Sequence, residues 1–193
     1  MTERQIMTWY KQNLLPSVEK AIAYKKERDP SLIYTADWLI AMAYRETWTL
    51  VVRYIQNKIL LENVLTIVKG DYGRREGELE KQFHGFGFWQ IDIGSYPSFV
   101  KSGEWKDPFK CCCKAIDVLE EKRNSLERHL RKEQYDVETF HRMITAAYNC
   151  GQGNVIAAVQ KKQPIDSRTH EKNYSQKVWE YRTLYNSLQA LSP

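Results

Sequence analysis

Gly85-Phe86-Gly87-Phe88-Trp89-Gln90-Ile91-Asp92 is the stretch that decides the fold. Glycine and aromatic residues alternate here without a helical period, so residues 83–96 are expected to form a short strand or irregular hairpin. Almost everything on either side keeps the spacing of amphipathic helices. Upstream, Tyr10, Leu14, Leu15, Val18, Ala21, Ile22 and Tyr24 form one apolar stripe, with Pro16 as an expected kink. Asp29-Pro30-Ser31 breaks that helix, and Thr35 or Asp37 is placed to cap a buried helix, Trp38-Leu39-Ile40-Ala41-Met42-Ala43-Tyr44-Arg45-Glu46, that ends near Glu46. From Leu50 to Val68 a further stripe predicts an extra helix, with Gly70-Asp71-Tyr72-Gly73 as its stop.

Downstream, the charged run Arg74 to Lys81 reads as a solvated loop or a mobile lid. Pro108 opens a helix around Cys112 to His129, with Ile116, Leu119, Leu126 and Leu130 inward. Val137 to Cys150 is a helix stopped by Gly151, Gly153 to Gln160 a short one, and Tyr174 to Leu188 the last. The fold class is therefore mainly α with a small β-like hairpin near residues 83–96. With 193 residues, no internal repeat and no Pro/Gly-rich linker, a single domain is expected.

Composition narrows the function only a little. Hydrophobic residues make up 42% and charged residues 27%, ordinary for a globular chain able to bury a core. A formal net charge of +5 favours an acidic partner, whether nucleic acid, an anionic membrane or an anionic wall polymer, or serves solubility alone. No helix-turn-helix signature or Arg/Lys stripe points to nucleic acid. The stretch Leu50 to Val68 holds Arg53, Lys58 and Glu62 and is too polar for a membrane span. The segment Met1 to Met7 has no apolar h-region, so no secretory signal is expected. Cys111, Cys112, Cys113 and Cys150 show no Cys-x-x-Cys spacing for zinc; reduced, partly buried thiols fit, and one bridge from the triplet to Cys150 stays open. Neither a cofactor nor a metal site is expected.

The chemistry rests on two carboxyls. Glu46 ends an apolar run beside Tyr44 and Trp48, where desolvation would hold it neutral, as a general acid requires; the alternative is a surface pair with Arg45 or Arg53. Asp92 closes the glycine turn, where it would hold or deprotonate a water, or else cap the following turn with its own side chain. Phe86, Phe88 and Trp89 offer faces for stacking on sugars, and Gly85 and Gly87 would let backbone approach a ligand. Tyr148 and Asn149 precede Gly-x-Gly and would bond a substrate, an acetamido group or backbone; a helix stop with a core tyrosine is the plainer reading.

Together these segments resemble goose-type lysozymes and the related soluble lytic transglycosylases. Tyr44-Arg45-Glu46 is similar to their S-R-E-S acid motif, and Gly85 to Asp92 to G-x-G-L-M-Q-V-D. Ala147-Tyr148-Asn149-Cys150-Gly151-Gln152-Gly153-Asn154-Val155 resembles A-Y-N-A-G-x-G-N-V, and His170 to Val178 resembles H-D-D-Y-A-x-x-V. The resemblance spans about Thr35 to Tyr185. It implies a lysozyme-like helical fold and cleavage of the N-acetylmuramic acid to N-acetylglucosamine β-1,4 bond. Glu46 inherits the acid, and Asp92 helps place the water. Gln90, Tyr148, Asn149, Phe88, Trp89 and Tyr174 are the implied substrate contacts. Lytic transglycosylases usually lack that Asp and form an anhydro sugar, so Asp92 favours hydrolysis. The implied partner is the peptidoglycan glycan strand, met by a monomer after export or lysis, with an inhibitor or immunity protein as a further partner. Two departures stand out: the longer segment between Glu46 and Gly85, and Lys81 at the position where counting back from Asp92 finds the family's second Asp.

Overall fold

The computed structural model describes residues 1–57, 63–64 and 67–188. The chain is mainly helical with one small antiparallel sheet, the fold class expected from sequence. Its packing divides it into two compact units, residues 1–115 with 184–193, and residues 116–183. The divisions fall inside two helices rather than in a linker.

The first unit opens with α1 (Glu3–Lys26). Thr2 caps it reciprocally: the Thr2 hydroxyl accepts from Gln5 N, and Gln5 Oε1 accepts from Thr2 N. Pro16 lies within the helix, and the buried stripe Ile6, Met7, Tyr10, Leu14, Val18 and Ala21 continues through it. This stripe packs on α2 (Ala36–Gln56), whose residues 38–44 are all buried. Truncating such a position, as in Leu14→Ala, costs about 2–5 kcal/mol.

Two sequence expectations are corrected here. The helix carrying Glu46 does not end there; Thr47 and Val51 extend its buried stripe, and it runs on to Gln56. Leu50 thus belongs to α2 rather than starting a new helix, and the rest of that expected helix lies partly outside the described residues. Gly70-Asp71-Tyr72-Gly73 is likewise no simple stop but most of β1 (Lys69–Gly73). It pairs antiparallel with β2 (Gln82–Phe86), which pairs with β3 (Ile91–Asp92), in the order β1-β2-β3. A glycine-rich strand has little propensity of its own; the partner strand makes it one.

A short helix, α3 (Pro97–Ser102), leads to α4 (Pro108–His129), of which residues 108–115 belong to the first unit. All four cysteines are free. Burial pushes the Cys111 thiol up to about 12 and that of Cys150 up to about 11, so neither is a ready nucleophile.

The second unit holds the rest of α4, then α5 (Val137–Cys150), α6 (Gln152–Gln160) and most of α7 (Tyr174–Ser187). Asp136 caps α5, accepting from Thr139 N at 2.8 Å and from the Thr139 hydroxyl at 2.6 Å. Gly151 stops it at φ +85, a conformation that side chains resist. Among the described residues, no helix is long and apolar enough to cross a membrane.

Candidate active site

Glu46 sits at mid-helix in α2, half-buried. The next residue fixes that turn of helix. The Thr47 hydroxyl donates to Ala43 O at 2.7 Å, which uses its only proton, so the Tyr10 hydroxyl must be the donor in their 2.8 Å bond. The Tyr10 ring in turn meets Tyr44 at 5.3 Å and Phe88 at 6.0 Å. A buried aromatic layer from α1, α2 and the glycine turn thus backs the helix that presents Glu46.

The turn itself is built inward. Trp89 is fully buried, and its Nε1 donates to Leu39 O in α2 at 2.9 Å; Phe88 is 2% exposed. Neither offers a face to a sugar, which corrects the stacking role expected of them. Their rings bury against α1 and α2 because Gly87, at φ +74, folds the chain back there, and its N–H donates to Val68 O at 2.8 Å. A Cβ at Gly87 would lie 2.5 Å from Cys111 Sγ and 2.9 Å from Trp105 O. Gly85 does not open the backbone to a ligand either. Gly85 and its cross-strand partner Gly70 leave the slot occupied by the Gln90 side chain, and a Cβ on either would run into Gln90 Oε1. Gln90 takes φ +48, and its Nε2 donates to Gly87 O at 2.8 Å. This glutamine is the internal brace of the turn.

Asp92 emerges from β3 opposite Gly85 and is thoroughly bonded. Its Oδ1 accepts from Arg75 Nη1 at 2.7 Å; its Oδ2 accepts from Ser95 N at 3.1 Å and from the Ser95 hydroxyl at 2.9 Å. The turn-capping alternative is therefore present in full. Burial opposes the charge, but the Arg75 guanidinium and the Ser95 hydroxyl outweigh it and hold the carboxyl below its ordinary value.

Sequence reasoning missed what lies on the other side of Arg75. Its Nη2 donates to Asp71 Oδ2 at 2.7 Å, so one guanidinium spans two carboxylates. Counting back from Asp92 reached Lys81, which lies exposed between β1 and β2. The carboxylate that shares Arg75 with Asp92 comes instead from β1, ahead of the charged loop. The signal was Gly70-Asp71-Tyr72-Gly73, an acidic residue between glycines, read only as a stop.

The loop of residues 74–81 is solvated, as expected, yet it is pinned. Glu78 Oε2 accepts from Arg75 N at 2.7 Å, and its Oε1 accepts from Gln82 Nε2 at 2.8 Å. The buried His84 places Nε2 at 2.9 Å from Glu78 Oε1 and Nδ1 at 2.7 Å from Asp71 O. Asp71 bends to φ +51 where it makes this contact. Both neighbours of the imidazole are acceptors, so both ring nitrogens must carry protons. Burial alone would lower the His84 pKa; the bonds to Asp71 O and Glu78 prevail and raise it. The Arg75 N–H first, with Gln82 and His84, draws Glu78 down to about 2.

The second unit holds the remaining expected residues. Tyr148 is half-buried near the end of α5. Asn149 Oδ1 accepts from His170 N at 2.9 Å, so this side chain ties backbone, one of the roles open to it in the sequence. Tyr174 starts α7 and is 2% exposed, which corrects its expected place as a sugar contact; its N–H donates to Thr169 Oγ1 at 3.3 Å. Among the described residues, no group of three His, Cys, Asp or Glu side chains is arranged to hold a metal ion. Comparison with protein-family models, curated proteins and solved structures finds no match to this chain.

Proposed function

We propose that this chain is a muramidase, hydrolysing the β-1,4 bond between N-acetylmuramic acid and N-acetylglucosamine in peptidoglycan, with Glu46 as general acid. The observation that carries the reading is the pair of carboxylates, Asp71 and Asp92, gripped by one arginine on the sheet that Trp89 ties to the Glu46 helix. Glycoside hydrolysis by inversion needs a proton donor on one side of the bond and a carboxylate that takes a proton from water on the other, about 6.5–9.5 Å apart. Glu46 gives its proton to the leaving oxygen as the anomeric bond breaks. A water attacks the opposite face and passes its proton to the base.

The bonds divide the two aspartates. Asp92 has both oxygens engaged and a lowered pKa, so it orients Arg75 and the water rather than accepting a proton. Asp71 has a side chain 64% exposed, which water reaches freely, and the base role falls to it. A second reading rests on the same arginine. If its charge silences both carboxylates, Glu46, having given its proton to the leaving oxygen, would take the proton of the sugar's own 6-hydroxyl as that oxygen closes an anhydro ring on the anomeric carbon, as in lytic transglycosylases. Mass spectrometry of fragments from purified sacculi decides between them. Reducing muramic ends are expected; anhydro ends would favour the second reading, and no fragments at all would end both, leaving a glycan-binding domain.

A further inference from the structure

Outside the carboxylate cluster, the first unit carries an array of aromatic rings that the proposed chemistry leaves unused. Tyr72 in β1 and Phe83 in β2 face each other across the strands with ring centroids 4.8 Å apart, and they are 62% and 39% exposed. The array continues inward through the half-buried Phe86, which meets the buried Trp105 edge-on at 5.3 Å. Between its outer and inner parts stands Lys69, while Lys106 approaches the Trp105 ring alone, at 5.7 Å. The Lys69 ammonium lies 5.9 Å from the Phe83 ring, 5.9 Å from the Phe86 ring and 5.6 Å from the Trp105 ring.

Two large rings left in water at adjoining strand positions contribute little to a core, because their outer faces remain wet. Such faces suit the apolar C–H face of a pyranose, with the sugar hydroxyls turned to solvent and to the Tyr72 hydroxyl. The ammonium adds a choice of sign. A cation held against aromatic faces draws an anion to the same spot, and the chain as a whole carries a net charge of +5. We propose that Tyr72, Phe83 and Lys69 form a saccharide-stacking subsite for a glycan strand that bears carboxylate groups, with the rings under a sugar and Lys69 paired to a carboxylate. The proposal deepens the muramidase reading and rests on it. It also assigns the stacking role denied to Phe88 and Trp89, from the strands next to Asp71 rather than from the glycine turn.

The test uses the full chain and two soluble probes followed by calorimetry: a peptidoglycan oligosaccharide with its lactyl carboxylates, and a neutral N-acetylglucosamine oligosaccharide of equal length. Glu46→Gln is the background, so that neither probe is cleaved during titration. Tyr72→Ala is expected to weaken both probes about tenfold, at an exposed position where thermal unfolding should not move. Lys69→Met is expected to weaken the carboxylated probe about tenfold and the neutral one little. Unchanged affinity for both probes in Tyr72→Ala and in Lys69→Met, or concentration-dependent self-association that Tyr72→Ala abolishes without affecting sugar binding, would overturn the subsite. Cleavage of sacculi by the otherwise native chain alongside such unchanged affinities keeps the muramidase and removes the subsite. Ring-dependent binding without cleavage keeps the subsite and removes the muramidase.

Discussion

Asp92 and Asp166 are both heavily bonded aspartates, one in each unit, and they serve opposite ends. Asp166 is 5% exposed. It accepts from Ser175 N at 2.8 Å, the Ser175 hydroxyl at 2.7 Å and Gln176 N at 3.1 Å, with Arg142 at 3.8 Å. Those N–H groups belong to the first turn of α7, which has no intrahelical acceptors for them, so Asp166 is a tertiary cap. The Asp92 side chain is 33% exposed, and its chief partner is an arginine that is 45% exposed and holds a second carboxylate. The number of bonds does not separate the buried carboxylate from the partly exposed one. What separates them is whether the chief partners are the buried N–H groups of a helix start or an exposed cation shared with a second carboxylate.

The largest expected effect comes from outside both networks. Glu46→Gln should cut wall clearing by about 100- to 10,000-fold while leaving the fold intact, as loss of a general acid does. Within the comparison, Asp166→Ala should lower stability by about 2–4 kcal/mol, because two helix N–H groups lose their acceptor in a buried place. A thermal scan reads that as a fall of roughly 5–15 °C. An unchanged midpoint would mean that α7 caps itself, and the contrast would lose its structural half.

Smaller effects should appear on the Asp92 side, in rate rather than stability. Asp71→Asn is expected to slow hydrolysis about 100-fold, and Asp92→Asn about tenfold, each with a thermal midpoint near the native one, since exposed ion pairs contribute about 0–1 kcal/mol. Equal losses in both variants would show that the two carboxylates act as one unit. A large drop in midpoint for Asp71→Asn would move it to the structural class beside Asp166.

The smallest effect is a pH response. The His84 pKa is raised, so its bonds to Asp71 O and Glu78 contribute fully below the unfolded value near 6.5 and are lost as pH climbs through the higher folded value. Glu78 is lowered to about 2, so its contribution is present above its ordinary 4.5 and lost only as pH falls toward 2. The clasp on the charged loop therefore loosens on the alkaline side. Hydrogen exchange of residues 74–81 should quicken as pH passes the folded His84 value, beyond the base-catalysed trend seen elsewhere in the chain. In His84→Gln that extra step should vanish; its persistence would assign the response to another group.

How much of this was legible in the sequence follows from how local each signal is. The helix at Val137–Cys150 could be read because Asp136 and Gly151 mark its ends within the segment. The hairpin at residues 83–96 could be read because glycines and aromatics break the helical period. Strand β1 could not, since Gly-Asp-Tyr-Gly pairs only with residues a dozen or so further on. Asp71 was missed for the same reason: counting register across the loop of residues 74–81 assumes a loop length that the family resemblance does not fix. Phe88 and Trp89 were read as sugar contacts because they stand beside glycines, and Tyr174 because the family resemblance implied it. The burial of Phe88 and Trp89 depends on α1 and α2, far away in sequence. Glu46 was placed at a helix end because the apolar run stops there, while Thr47 and Val51 carry the buried stripe onward.

The most direct test of the central claim is the rate at which purified sacculi release soluble muropeptides with native protein and with Glu46→Gln, both shown folded by circular dichroism. The account predicts steady release by the native chain and almost none by the variant. Release by Glu46→Gln at the native rate would contradict it.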